Sequence, residues 1–188
     1  RASFLQSWGA ECITGLLTIF NRSWVEGVVP NAWKSAILLP FLKPGKPRTA
    51  VTSYRPIALT SVFAKTFEQL VLQRIYQMVD LAAVLHKHHF GFVKNRGSTD
   101  ALLLFHRYLT VARMRRWFLY AGILDVQGAY DSVNLSILFA KLKDLGFRGR
   151  VLQWLGSFFM HRSYQVRWRG VLSSSIPTKR GVPQGSVF

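Results

Sequence analysis

The sequence predicts an α+β fold. Several stretches place apolar residues at helical spacing, while residues 164–169 alternate apolar with polar side chains and turn at Gly170. Hydrophobic residues make up 49% of the 188 positions and aromatic residues 14%, enough for a buried core in one domain or in two tightly joined lobes.

Phe4, Trp8, Cys12, Leu16, Phe20 and Trp24 recur at helical spacing, with Leu5, Ile13 and Leu17 beside them, which predicts an opening helix whose stripe packs. Residues 35–42 form a short apolar run broken by Pro40 and followed by Lys43-Pro-Gly-Lys-Pro47, which reads as a strand and then an exposed basic loop. From Ser61 to about Val79, Phe63, Phe67, Leu70, Val71, Ile75 and Met78 repeat at helical spacing. A further helix is expected from an N-cap at Ser98, with Asp100 in its first turn, to about Arg115.

Residues 117–124 read as a buried strand ending at Asp125. Asn134 is the expected cap of a helix that carries Leu135, Leu138, Leu142 and Leu145 and stops at Gly146. Another helix is expected over about 149–160. Tyr164, Val166 and Trp168 then alternate with Gln165, Arg167 and Arg169 as a half-exposed strand, with a partner strand near 171–178. No repeat, low-complexity tract or long linker interrupts this order.

Charge narrows the function. Lys and Arg number 25 against 8 Asp and Glu, a formal net charge of +17 that repels itself unless a polyanion neutralises it, so nucleic acid is the expected partner. The basic residues are spread through every segment without a one-sided amphipathic helix, which argues against a membrane surface, and no apolar run approaches the roughly 20 residues of a spanning helix. Cys12 is the only cysteine, which excludes an internal disulfide and multi-cysteine zinc sites. His86, His88 and His89 lie near no carboxylate but Asp80, so they read as a polar loop. The chain opens at Arg1 with neither an initiator Met nor a secretory signal pattern.

Tyr54-Arg-Pro-Ile57, His89-Phe-Gly-Phe92, Arg96-Gly-Ser-Thr-Asp-Ala101, Leu124-Asp125 through Ala129-Tyr-Asp-Ser-Val133, and Gly181-Val-Pro-Gln-Gly-Ser186 follow one another along nearly the whole chain. Their order and spacing resemble the reverse transcriptases of non-LTR (LINE-type) retrotransposons. The resemblance implies the fingers and much of the palm of a right-hand polymerase. Residues 1–116 would be mainly fingers with an N-terminal helical extension, and 117–188 mainly palm. It also implies an RNA template, a DNA primer, deoxynucleoside triphosphates and an intracellular setting, nucleus or cytoplasm.

Such an enzyme lets a primer 3′-hydroxyl attack an α-phosphate between two Mg²⁺ ions, for which carboxylate oxygens are the matching ligands. The resemblance makes Asp125 the first metal-binding, catalytic carboxylate, and leaves Asp131 a hydrogen-bonding role at the start of the next segment. Val126, Gly128 and Ala129 would form the turn that receives the triphosphate, and Tyr130 would sit under the sugar, where related enzymes often carry Phe. Arg55 and Lys43 would meet the triphosphate from the fingers, with Lys46 an open alternative to Lys43. Gln184 would pack against the incoming nucleotide, and Asp125, Arg55 and Gln184 would border one pocket. Basic residues such as Arg113, Arg115, Arg116, Arg162, Arg167 and Arg169, interleaved with Trp117, Tyr164 and Trp168, would track template or primer.

No carboxylate cluster follows Ser186, and the aromatic-Ala-Asp-Asp hairpin and thumb of the resembled enzymes are missing from this sequence. The expectation is therefore a partial polymerase domain, inactive by itself. The alternatives are a non-catalytic nucleic-acid-binding protein derived from a retroelement, and another templated polymerase. Against an RNA polymerase stands Tyr130, an aromatic gate that disfavours ribonucleotides.

Overall fold

The computed structural model describes residues 8–178, 181–183 and 185–187. Two compact units divide the chain, one formed by residues 1–72 and 128–188 and the other by residues 73–127.

The first unit is a mixed sheet packed against helices. Helix α1 (Ala10–Glu26) ends at Gly27, whose φ of +66° is the left-handed cap that its carbonyls require. The short helix α2 (Asn31–Lys34) leads into β1 (Ser35–Leu42). A 3₁₀ turn over Val51–Ser53 precedes β2 (Tyr54–Leu59), which pairs antiparallel with β1. β2 carries no clear alternation in its sequence, because the prolyl ring of Pro56 interrupts it. Pro40 and Pro56 stand opposite each other in the register. Neither can donate, so this must be a non-hydrogen-bonded pair in which a missing N–H costs the ladder nothing.

Helix α3 (Val62–Met78) buries Ala64, Phe67, Glu68 and Val71, one turn apart, while Leu70 and Met78 of the expected stripe are exposed. After α3 come the short α4 (Leu81–Val84) and α5 (Ser98–Met114), both in the second unit. Back in the first unit, α6 (Leu135–Asp144) is capped as expected, the Asn134 Oδ1 accepting from Ser136 N–H at 2.9 Å. Helix α7 (Gly149–Phe159) buries Val151, Trp154, Leu155 and Phe158.

β3 (Ser163–Trp168) runs parallel to β1 and gives the sheet order β2-β1-β3-β4. Arg169 and Gly170 both have positive φ, +48° and +85°, the geometry of a two-residue hairpin turn into β4 (Val171–Leu172). The expected partner over 171–178 is split at Ser173, whose Oγ accepts from Val166 N–H at 2.9 Å, and pairing resumes in β5 (Ile176–Pro177).

Aromatic rings from distant segments close the core of this unit. Phe20 stacks on Phe67 at 4.7 Å, Phe67 meets Trp154 edge-on at 5.3 Å, and Trp154 stacks on Phe158 at 5.4 Å. The buried Trp154 Nε1 donates to Ser23 Oγ at 3.0 Å, so the ring's polar edge is satisfied.

In the second unit α5 departs from expectation at its start. Gly97, not Ser98, is the cap residue, and its N–H donates to the Asp100 carboxylate at 2.7 Å. A larger correction concerns residues 117–124, which form no strand. Phe118, Tyr120, Ile123 and Leu124 are 89%, 91%, 96% and 97% exposed. An apolar run becomes a strand only where another strand supplies its ladder, and none does so among the described residues.

Candidate functional site

The turn after Gln127 belongs to the first unit. Gly128, with φ +60°, starts a coil that the Ser132 N–H closes by donating to Gly128 O at 2.9 Å. Against it lies the Gly181–Val182–Pro183 segment: Val182 N–H donates to Tyr130 O at 2.9 Å and Gly181 N–H to Val133 O at 3.2 Å. A Cβ at position 181 would sit 2.7 Å from Tyr130 O and 2.8 Å from Asp131 Cα, and φ there is +82°, so glycine is required twice over. Gly185, at φ +106°, passes β2 so closely that a Cβ would meet Ala58 O at 3.1 Å. Two motifs separated by some fifty residues in sequence are thus joined backbone to backbone.

These segments border a cavity of about 310 Å³. β1 gives Ala36 and Leu38, β2 gives Pro56 and Ala58, and the β3 end gives Arg162, Ser163 and Tyr164. Asp131, Thr178, Gly181, Val182 and Pro183 complete its lining.

Of the expected site residues, Tyr130 is half-exposed on the turn and its carbonyl holds Val182. Ala129 and Gly128 are exposed beside it. Arg55 lies opposite Phe41 in the register and alternates with Pro56, which places its side chain on the sheet face away from the cavity. Lys43 is half-buried and closes its own loop, with N–H donating to Ser53 O at 2.8 Å and Nζ to Thr52 O at 2.9 Å. Lys46 stands exposed after Gly45, whose φ is +70°. Asp125 and Val126 are exposed and belong to the second unit. Gln184 lies outside the described residues, as do Lys179 and Arg180.

Three charged residues are buried among the described residues: Glu68 and Lys34, which carried no expectation, and Arg162, which was expected to track template or primer and is instead inside the unit. Glu68, on α3, is 1% exposed, and its Oε2 accepts from Val187 N–H at 2.7 Å. Arg162 is 5% exposed, donates Nη1 to Phe158 O at 3.0 Å and lays its guanidinium 4.7 Å from the Phe158 ring centre. Lys34 is 8% exposed. Burial pushes the Glu68 carboxyl above the ordinary carboxylate value, against the Val187 N–H, Arg162 and Lys65, which pull it down. Burial holds Arg162 and Lys34 below their ordinary values, and Arg162 adds to the shift of Lys34. The signal for Glu68 was available: it occupies the buried stripe of α3, one helical turn from Ala64 and from Val71.

His86 and His88 rings contact at 5.2 Å, and among the described residues no group of three His, Cys, Asp or Glu side chains is placed to hold a metal ion. No helix among the described residues is long and apolar enough to cross a membrane.

A family profile described as reverse transcriptase (RNA-dependent DNA polymerase) matches residues 42–188. It is 35% identical over 95% of its length to the RNA-directed DNA polymerase from mobile element jockey of Drosophila melanogaster, covering 19% of that protein. It is 31% identical over 98% of its length to a probable RNA-directed DNA polymerase from transposon BS of the same fly, covering 20%. A protein of the type-1 retrotransposable element R1DM is 32% identical over 92% of the chain. The chain belongs to the reverse transcriptase family, as a reverse transcriptase domain of non-LTR retrotransposon type, and spans about a fifth of the length of the curated relatives it matches.

Proposed function

We propose that the protein adds deoxynucleotides to a DNA primer on an RNA template, and that this chain supplies the fingers, mainly residues 1–116, and the opening part of the palm, mainly 117–188. The observation that carries the reading is the backbone joint between the Tyr130 turn and the Gly181–Pro183 segment, which brings two motifs of the family match to one cavity. Ala36, Ala58 and Gly181 keep part of the wall low, and Asp131, Arg162, Ser163 and Tyr164 add polar groups that a nucleotide's sugar and base could meet.

In this reading Tyr130 lies under the sugar, and Gly128 and Ala129 let backbone N–H groups reach phosphate oxygens. Gln184 packs on the incoming nucleotide. Of the fingers residues expected at the triphosphate, Arg55 lies on the sheet face away from this cavity, so the contact falls to a lysine of the 43–47 loop. Since Lys43 Nζ is engaged at Thr52 O, the exposed Lys46 is the lysine better placed to meet a phosphate. The excess of basic residues, +17 in total, neutralises template and primer phosphates.

The reverse transcriptase family uses Mg²⁺. Asp125 offers an exposed hard oxygen ligand and would contribute to holding the ion. One carboxylate does not make a two-ion site, and the described residues add no cluster to it. What this chain's own residues do is bind and orient the nucleotide.

The test is primer extension by the whole protein on an RNA template with deoxynucleotides. The reading expects extension that Asp125→Ala abolishes. Nucleic-acid binding that falls with salt, without any extension in the unaltered protein, would make it a binder and overturn the reading.

A further inference from the structure

The segment 181–187 is tied down at both ends, by different means. At one end the tie is backbone to backbone, through Tyr130 O and Val133 O. At the other it is a buried carboxylate: Glu68 Oε2 accepts from the Val187 N–H. The second tie is unusual in what it forgoes. Arg162 is buried in the same unit and near enough to act on Glu68 electrostatically, yet the two form no ion pair, and among the described residues Glu68 Oε1 and Arg162 Nη2 are both buried without a hydrogen-bond partner. A buried carboxylate leaves such an atom unsatisfied only at a cost, so the one bond it does make is the one its placement serves.

We propose that Glu68 is a positioning residue for nucleotide binding: by holding the Val187 N–H it fixes the path of the chain past Ala58, which lines the cavity together with Gly181, Val182 and Pro183. Gly185 shows why a fixed path matters, since the segment passes Ala58 with little space for even a methyl group. A slack Val187 end would release this close approach to Ala58, which is itself part of the cavity wall. The proposal rests on the polymerase reading above, in which this cavity takes the incoming nucleotide.

The test compares Glu68→Gln with Glu68→Met in the whole protein. Both remove the charge that faces Arg162, so any effect of charge balance is common to the two. Only the glutamine keeps an oxygen that accepts from Val187. The expected result is a KM for deoxynucleotide that rises about tenfold in Glu68→Met and stays within about twofold of the unaltered protein in Glu68→Gln, with primer–template affinity the same in all three. Equal losses in the two variants, or a loss of primer–template affinity that matches the change in KM, would overturn it.

Should Glu68→Met not fold, amide hydrogen exchange on the unaltered chain and on Glu68→Gln decides the matter. A Val187 amide protected in both supports the anchor, and one that exchanges at the rate of an open peptide in either refutes it. An unaltered protein that extends no primer defeats the polymerase reading alone, because the exchange result stands without any activity.

Discussion

Residues 163–168 and residues 117–124 are both short, apolar-rich runs that follow a helix, and they end in opposite states. β3 is paired on both edges, by β1 in parallel and by β4 and β5 antiparallel. The other run leaves α5 with Trp117 N–H bonded back to Ala112 O at 2.8 Å and then lies open, its Leu124 97% exposed. Ile123 and Leu124 are at least as apolar as Tyr164 and Val166, so apolarity does not separate the two. What separates them is the ladder: a strand is a property of a pair, and β3 has neighbours that 117–124 lacks among the described residues.

This contrast can be broken at several places. The largest effect is expected at the aromatic core of the unit that contains β3. Trp154→Ala removes the contacts with Phe67 and Phe158 and the bond to Ser23, and should cost about 3–5 kcal/mol in chemical denaturation. Next comes Gly181→Ala, which drives a methyl group into Tyr130 O and puts a side chain at positive φ. A loss of about 1–3 kcal/mol is expected, whereas Gly97→Ala, with open space around its Cβ, should cost less.

A pH effect sharpens the comparison from the buried side. The Glu68 carboxyl titrates above its ordinary value of 4.5 in the folded chain. Between that value and the higher folded one the native state binds more protons than the unfolded state, so stability falls as pH rises through the window. Melting temperatures across a pH series should show this decline in the unaltered chain and lose it in Glu68→Gln. The smallest effect belongs to the open run: Leu124→Ala should change stability by no more than about 0.5 kcal/mol.

The helices were legible because their signal is local. The apolar periods of α1, α3 and α6, and the cap at Asn134, lie within each segment and need no knowledge of the rest of the chain. The α1 period did not give its packing, however: Cys12, Ile13 and Leu17 are exposed, and Phe4 and Leu5 lie outside the described residues. β2 was not legible, since Pro56 masks its pattern and its pairing with β1 is fixed only when Pro40 comes opposite. The run 117–124 misled for the complementary reason, its composition being right and its partner lacking among the described residues.

The site divides in the same way. The residue types around Tyr130 and Gly181 stood out by resemblance, but the hydrogen bonds that join them span some fifty residues, and no local pattern encodes such a joint. Arg55 stood out too, yet strand alternation turns it from the cavity that Pro56 and Ala58 line. Lys34 and Glu68 come from two separate helices and Arg162 from the connection before β3, and only Glu68 announces itself, as a charge within a buried helical stripe.

Hydrogen–deuterium exchange resolved to single amides across the native chain tests the contrast most directly. Amides bonded in the sheet at 164–166, together with Val182 in the joint to Tyr130, should exchange slowly, while those of 118–124 exchange at nearly the rate of an unstructured peptide. Slow exchange throughout 118–124 would mean that this run is paired in the native chain, which contradicts its reading as a strand-like sequence left without a partner.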